Sequence, residues 1–469
     1  MIFLIKLIRY VKSKLLPLYI RLIFFFYKRF NQDYAHEKFL LLKANFKLRK
    51  FYLDYFIKKF KDYPYFYWER YKAAIQSGEK NYISYLNKYS KTRKEWIEKN
   101  LKKYENIEFV EEKVIAGSFG NIYYLYSLLL ANELKLRKKR KIILFSKNKA
   151  TNETLFEYFK DYLVITNDPR KIPKKKLIID KLSSHLGSAM EIKEDFLQPA
   201  TAQNIIIKKN EEKKIKLFNI KKEHNIEGEK YLSKIGLTKN DWYVTLHVRE
   251  GNYRKFEKNE KFRNAEIYDY IPAIKEIINA GGFVFKMGHP GSKQLPKMNG
   301  LIDYANSKEK SEILDIFLGA TSKFCIATSS GYYIIPSFFS VPILMTNCPQ
   351  HSVFFELSSK DVYLPRIFKS TIDNEKLKIS KIFQPPYNHL FSDILFEQFN
   401  LEVIKNTEDE IRLATKELID RFFHNKKEQS DLQFQINKKI EEEQARTGNK
   451  LTAICNISDS FLEKNSNLI

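Results

Sequence analysis

At 469 residues the chain is too long for one ordinary core, and roughly two to four domains are expected. Hydrophobic residues at 44% and aromatic residues at 15% supply packed cores and exclude wholesale disorder. The formal net charge of +26 asks for an anionic partner, whether nucleic acid, an anionic membrane surface or a phosphorylated substrate, unless it is only a lysine-rich habit of composition.

Residues 1–104 read as a basic helical extension. In the first thirty residues Lys6, Arg9, Lys12, Lys14 and Arg21 stand among Ile, Leu, Phe and Tyr. Arg21 breaks the best apolar run, which falls short of the roughly 20 residues that a spanning helix needs. Such a segment suits peripheral contact with an anionic bilayer, with Phe24 to Tyr27 in the acyl boundary, or a helix packed on the protein's own core. From Asn31 to Tyr104 the pattern predicts two to four helices. Their aromatic stripes suit a core more than a stacking platform for sugars or bases.

Residues 105–231 read as a first Rossmann-like domain. Val110 to Ala116 is expected as a strand, Gly117, Ser118, Gly120 and Asn121 as a glycine-bearing turn, Ile122 to Leu134 as a helix and Lys141 to Ser146 as the next strand, which makes a βαβ unit. The turn lacks the third glycine of a dinucleotide fingerprint. Leu163 to Thr166 and Leu177 to Asp180 continue the alternation, and the lysine-rich stretch from Lys208 to His224 is expected to connect two domains.

Residues 232–424 read as a second Rossmann-like domain. The strand from Trp242 ends in His247, Arg249 and Glu250; Asp269 is expected to cap a helix carrying Ile271, Ile274, Ile277 and Ile278 on one face; the next strand runs from Phe283 to Met287. A helix from Ser311 to Leu318 leads to the Phe324 strand, and Thr328, Ser329, Ser330 and Gly331 lead into an apolar helix and a strand from Val341 to Thr346. Strands alternating with helices at this spacing predict a parallel sheet, α/β in class. Residues 425–469 are expected as a helical tail, with Lys438 to Arg446 solvated. Thr407 and Glu410 stand at the spacing of a capping box.

Several strands of the second domain finish in polar or charged residues, which is where open α/β sheets hold ligands. His247 and Arg249, two apart, project to the same side of their strand. An arginine fork there suits a phosphate, and an imidazole beside it can donate to a phosphate oxygen or orient a hydroxyl. Thr328 to Gly331 is either an anion-binding turn or an ordinary helix cap. Lys286, His289 and Asp303 end or follow adjacent strands and together would line one cleft. Cys325, Cys348 and Cys455 have neither paired nor metal-like spacing, so a reducing compartment and no structural zinc are expected. With no Asp-x-Asp pair and no HExxH, no metal and no cofactor are expected.

As a set, His247-Val-Arg249, Arg263-Asn264, Tyr270-Ile-Pro-Ala-Ile, Lys286-Met-Gly288-His-Pro290, Asp303-Tyr304-Ala-Asn-Ser307, Asp315-Ile-Phe-Leu-Gly-Ala and Thr328-Ser-Ser-Gly331 resemble a glycosyltransferase family found with bacterial surface-polysaccharide synthesis. More distantly they are similar to fucosyltransferases of the two-domain GT-B fold. The resemblance covers about 232–421 and, loosely, 107–180. It implies inverting, metal-independent transfer of a sugar from a nucleotide-sugar to a hydroxyl of a cell-envelope glycan or lipid-linked acceptor.

By that resemblance Arg249 holds the donor diphosphate, with Thr328, Ser329, Ser330 and Gly331 as a second clamp. Lys286, Gly288, His289 and Asp303 flank the nucleoside, Asp315 belongs to the motif set, and His247 or Glu250 is the general base. Gly117, Ser118, Gly120 and Asn121 would lie on the acceptor side. Such an enzyme would sit in the cytoplasm, peripheral on the inner face of the plasma membrane through residues 1–30, with no nucleic acid as partner. The alternative is a non-catalytic basic scaffold that binds nucleic acid or anionic membrane.

Overall fold

The computed structural model describes residues 46–102, 106–111, 119–145, 152–171, 189–251, 260–424, 429–449 and 451–469. The expectations for residues 1–30, Gly117, Ser118 and Leu177 to Asp180 lie outside these residues. The chain divides into two compact units, Met1–Lys103 and Tyr104–Ile469.

In the first unit three helices are described, α1 (Phe46–Lys59), α2 (Pro64–Gln76) and α3 (Tyr82–Leu101). Pro64 opens α2, where a missing N–H costs nothing. The aromatics form the core: Phe56 stacks on Phe66 at 4.9 Å and Trp68 meets Tyr89 at 5.2 Å. Arg70 is buried beneath them and forks onto Glu79 at 2.8 and 3.1 Å, with Asp54 at 2.8 Å on its Nε.

The second unit opens with β1 (Ile107–Glu111), α4 (Phe119–Glu133), β2 (Lys141–Phe145), α5 (Glu153–Glu157) and β3 (Leu163–Thr166), a parallel sheet in the order β1-β2-β3. The first strand begins earlier than expected, at Ile107, residues 112–118 lie outside the described residues, and the helix is described from Phe119. Gly120 and Asn121 therefore sit in its first turn, where N–H groups need no partner within the helix, so neither residue type disrupts it. A hairpin of β4 (Met190–Ile192) and β5 (Asp195–Leu197) follows, then α6 (Pro199–Lys213) and α7 (Lys222–Lys234). Most of the lysine-rich stretch thus belongs to helices.

The large sheet starts with β6 (Tyr243–His247), α8 (Ile271–Asn279), β7 (Phe283–Lys286) and β8 (Leu301–Ile302). It continues through α9 (Glu312–Thr321), β9 (Cys325–Ala327), α10 (Ile334–Phe338), β10 (Ile343–Cys348) and β11 (Val362–Pro365). After the antiparallel pair β12 (Phe368–Ser370) and β13 (Leu401–Val403) come α11 (Ile379–Ile382), α12 (Asp393–Gln398), α13 (Glu408–Phe423), α14 (Asp431–Arg446), β14 (Asn456–Ile457) and α15 (Asp459–Lys464).

The seven-stranded sheet has the order β14-β11-β10-β9-β6-β7-β8 and is parallel throughout. Its central strands are buried on both faces, which is why they read as continuous apolar runs. Helix α8 packs with α13, and α7 packs with α9 and α9 with α10. Gly228 permits the approach of α7 to α9: a Cβ there would stand 2.1 Å from the Phe317 ring.

Three expectations are corrected. The chain enters α8 through a 3-10 turn, Ile267–Tyr270, so Tyr270 and not Asp269 holds the cap position, and Pro272 falls in the first turn. The tail is not only helical, because β14 pairs with β11 as an edge strand too short to leave a sequence pattern. Nor is α14 wholly solvated: it buries Gln433, Ile436, Asn437, Ile440 and Gln444 along one face. The capping box at Thr407 and Glu410 is present.

The two sheets share one core. Tyr126 of α4 stacks on Phe338 of α10 at 4.3 Å, and Phe218 packs edge-on to Phe159 at 4.9 Å. Among the described residues no helix is long and apolar enough to cross a membrane.

Candidate functional site

From β6 the chain runs outward to β7 and β8, then returns to lay β9 against the other side of β6 and runs outward again through β10 and β11. The carboxyl ends of β6 and β9 are therefore a topological switch point, where connections leave in opposite directions and a crevice opens. His247 ends β6, and Thr328 follows β9.

Hydrogen bonds knit these two ends. The Thr328 N–H donates to the His247 carbonyl at 3.2 Å, and the Arg249 N–H donates to the Thr328 hydroxyl at 2.9 Å. Arg249 and Arg263 both donate to one Glu260 carboxylate oxygen, at 3.1 and 2.7 Å. Arg263 also forks onto the Ser329 carbonyl at 3.0 and 2.5 Å. The Ser329 hydroxyl bonds to Gln350, and the Ser330 N–H turns back to the Thr328 carbonyl at 2.6 Å. Gly331 opens a 3-10 turn, Gly331–Tyr333, that runs into the five-residue α10. The apolar helix expected there is present and short, because Phe339 and Ser340 turn the chain back toward β10. Anions would be met at this edge by side chains rather than by a helix dipole.

The His247 ring stacks on Tyr332 at 5.3 Å. Burial pushes its pKa down to about 4, and Lys310, His289 and Arg249 push in the same direction, so the imidazole is neutral near pH 7. Among the described residues its Nδ1 is buried with no hydrogen-bond partner, as are Oε1 of Glu250 and Oδ1 of Asn264. The other Glu250 oxygen takes the Lys293 N–H at 3.1 Å. Gly251 has φ +79°, and a Cβ there would lie 2.2 Å from the Asn264 amide nitrogen, so only glycine lets Asn264 close over this turn.

The structure thus gathers His247, Arg249, Glu250, Thr328, Ser329, Ser330 and Gly331 at one edge. Lys310 joins them as the ion-pair partner of Asp315, which lies in the first turn of α9. Lys286 is buried and engaged with Asp303 at 3.1 Å and Ser292 at 2.9 Å, while Asn306 holds the other Asp303 oxygen at 2.8 Å. Those two residues brace the turn after β7, where Gly288 and His289 lie. Gly120 and Asn121 lie on α4, a helix that packs against the Gly331–Tyr333 turn.

Sequence reasoning missed Arg366 as a functional support. It is 2% exposed and donates to the carbonyls of Phe262 at 2.5 Å and Asn264 at 2.6 Å, and to Asn347 at 3.0 Å. Burial lowers its pKa to about 10. Asn347, left-handed at φ +49°, pairs with Asn406 in both directions and donates to Tyr270 at 3.1 Å. This network fixes the 260–265 loop, and so Arg263, against β10 and β11. An arginine set among Tyr363, Leu364, Ile367 and Phe368 was the available signal, since a cation in an apolar run is buried only with partners.

Among the described residues no group of three or more His, Cys, Asp or Glu side chains is placed to hold a metal ion. The fold is that of an α/β protein whose parallel sheet has its switch point at the carboxyl ends of β6 and β9.

No family model matches the sequence, and no curated protein matches it. Among solved structures, a glycosyl transferase family 9 protein from Veillonella parvula DSM 2008 superposes with a TM-score of 0.33 at 10% identity, over 56% of this chain and 86% of that one. The UDP-GlcNAc 2-epimerase of Methanocaldococcus jannaschii, in complex with UDP-GlcNAc and UDP, superposes with a TM-score of 0.20 at 13% identity, over 71% and 81%. At these scores neither likeness carries an argument about this chain.

Proposed function

We propose that the protein is a GT-B-type glycosyltransferase that moves a sugar from a nucleotide-sugar to a hydroxyl of a cell-envelope glycan or lipid-linked acceptor, with inversion and without a metal. The observation that carries this reading is the pair Arg249 and Arg263 at the β6/β9 switch point, sharing Glu260 beside a neutral His247. A diphosphate offers these forks more charge and better geometry than one half-exposed carboxylate, and the arrangement is fixed before the ligand arrives. The motif resemblance points to the same residues.

In the transfer the acceptor oxygen bonds to the anomeric carbon while the bond from that carbon to the diphosphate breaks. The electron pair leaves on the diphosphate, where Arg249 and Arg263 meet the growing charge. The basic amino-terminal segment suits an acceptor held at an anionic membrane surface.

The test is a thermal-shift panel of UDP-, GDP-, CMP- and ADP-sugars. One nucleotide class should raise the melting temperature, and Arg249→Ala should abolish that rise and lower transfer by roughly 3 kcal/mol of transition-state stabilisation. No shift with any of them, or full transfer by the variant, refutes the proposal.

A further inference from the structure

Glu260 stands just before the 3-10 turn Lys261–Arg263. One of its carboxylate oxygens accepts from Arg249 at 3.1 Å and from Arg263 at 2.7 Å, the relation that a phosphoryl oxygen takes to paired guanidinium groups. Its side chain is 41% exposed, against 13% for Arg249 and 21% for Arg263, so the carboxylate lies on the solvent side of both forks. A ligand that reaches the arginines from solvent meets this carboxylate first.

The forks do not depend on Glu260 for their aim. Arg263 donates from Nε and from a second nitrogen to the Ser329 carbonyl, at 3.0 and 2.5 Å. Arg249 is fixed at its backbone, where the N–H donates to the Thr328 hydroxyl at 2.9 Å and the carbonyl accepts from Ala265 at 3.0 Å. The chain just after Glu260 is fixed as well. Asp393 accepts from the Lys261 and Phe262 N–H groups at 3.0 and 2.8 Å, and Arg366 donates to the Phe262 carbonyl at 2.5 Å. The carboxylate can therefore leave both arginines by a rotamer change of its own side chain, with the turn after it in place.

We propose that Glu260 is an internal stand-in for the donor's diphosphate, which occupies the two guanidinium groups while the site is empty and is displaced when the diphosphate arrives. This rests on the glycosyltransferase reading above. A tethered carboxylate competes at an effective concentration on the order of millimolar or more, so a lone phosphate that binds weakly does not fill the site. A nucleotide-sugar does, because its diphosphate carries more charge and its nucleoside adds contacts of its own. If the forks are open about a tenth of the time, the apparent affinity for a diphosphate is about tenfold below the intrinsic one.

The test is Glu260→Gln, in which the amide keeps the size of the side chain and an acceptor oxygen but loses the charge that competes. Isothermal titration with inorganic pyrophosphate and with UDP, GDP and ADP, without added metal, is run on the full wild-type chain, on Glu260→Gln and on Glu266→Gln. Glu266 pairs with Lys293 at 2.5 Å rather than with either arginine, so its substitution removes an equal charge nearby without opening the forks. Glu260→Gln should bind pyrophosphate and the fitting nucleoside diphosphate about tenfold more tightly than the wild type, and Glu266→Gln should stay within about twofold of it. Affinity in Glu260→Gln equal to or below the wild type makes the carboxylate a brace for the forks and overturns the inference, as does an equal gain in Glu266→Gln. In either case Arg249-dependent binding of a nucleoside diphosphate by the wild type leaves the function standing. Failure of pyrophosphate and of every nucleoside diphosphate to bind any of the three chains overturns both.

Discussion

Replacing Arg366 with Met keeps the length of the side chain and removes its donors, which isolates what the buried guanidinium does for the site. Its three hydrogen bonds, to Phe262, Asn264 and Asn347, are charge-assisted and total roughly 6 kcal/mol at about 2 kcal/mol each. Against this stands the cost of burying the charge. The fall from 12.5 to about 10 corresponds to about 3 kcal/mol at ~1.4 kcal/mol per pH unit. The net loss is then about 3 kcal/mol, which lowers a urea midpoint by about 1 M at a slope near 3 kcal/mol/M. Because the lost bonds hold the 260–265 loop, donor affinity should also fall, by at least about tenfold, although Arg366 lies behind the site. Urea unfolding and isothermal titration with the nucleotide-sugar identified by the thermal-shift panel measure the two effects. A midpoint within about 0.3 M of wild type, or unchanged affinity, would refute the view that Arg366 positions Arg263.

The carboxyl tail is held by Glu417, which accepts from Arg421 at 2.6 Å, Gln433 at 2.9 Å and the Asp459 N–H at 2.9 Å. Glu417→Ala should cost roughly 3–5 kcal/mol by stranding the buried Arg421, and limited proteolysis should then cut between residues 425 and 458. His351, fully buried against Tyr363, has its pKa pushed down to about 3 by burial. The unfolded chain therefore binds this proton first, and stability present above about pH 6.5 is lost as pH falls toward 3. Between pH 7 and pH 5 this histidine accounts for about 2 kcal/mol of the wild-type loss, and urea unfolding of His351→Phe should show a loss smaller by that amount. At His247 a bound diphosphate would offset the push of Lys310, His289 and Arg249, so donor binding near pH 5 should take up a proton. Titration calorimetry in buffers of different ionisation heat reads this uptake, and a buffer-independent enthalpy near pH 5 refutes it.

The strands that build the site were legible because their chemistry is local. Val244 and Leu246, Val284 and Phe285, and Ile343 to Met345 are buried on both faces of a parallel sheet, and each run shows as unbroken apolar sequence. Their polar ends, His247 to Glu250 and Thr328 to Gly331, stand out by contrast. What was not legible depends on residues far apart in the chain. Nothing in Leu301 and Ile302, or in Asn456 and Ile457, marks a strand until β7 and β11 offer edges to pair with. Likewise, the sequence around Arg366 reveals that the cation needs partners, but not that they stand 102 and 104 positions away.

The same distinction applies to the hydrogen bonds that the residues of this edge make. Lys286 ends β7, and its ammonium is enclosed with Asp303 and Ser292, where it braces the next turn. Ser329 has the position of an anion clamp, yet its hydroxyl is bound to Gln350 and its carbonyl to Arg263. Ser329 orients Arg263 through its carbonyl, whereas Lys286 holds the turn after β7. A parallel sheet has few ways to hold a long cation at its edge without committing strand-end groups to it, since a loose guanidinium loses rotamer entropy on every binding event. The edge is therefore built in two tiers, with Arg366 holding the 260–265 loop and Ser329 and Glu260 holding Arg249 and Arg263.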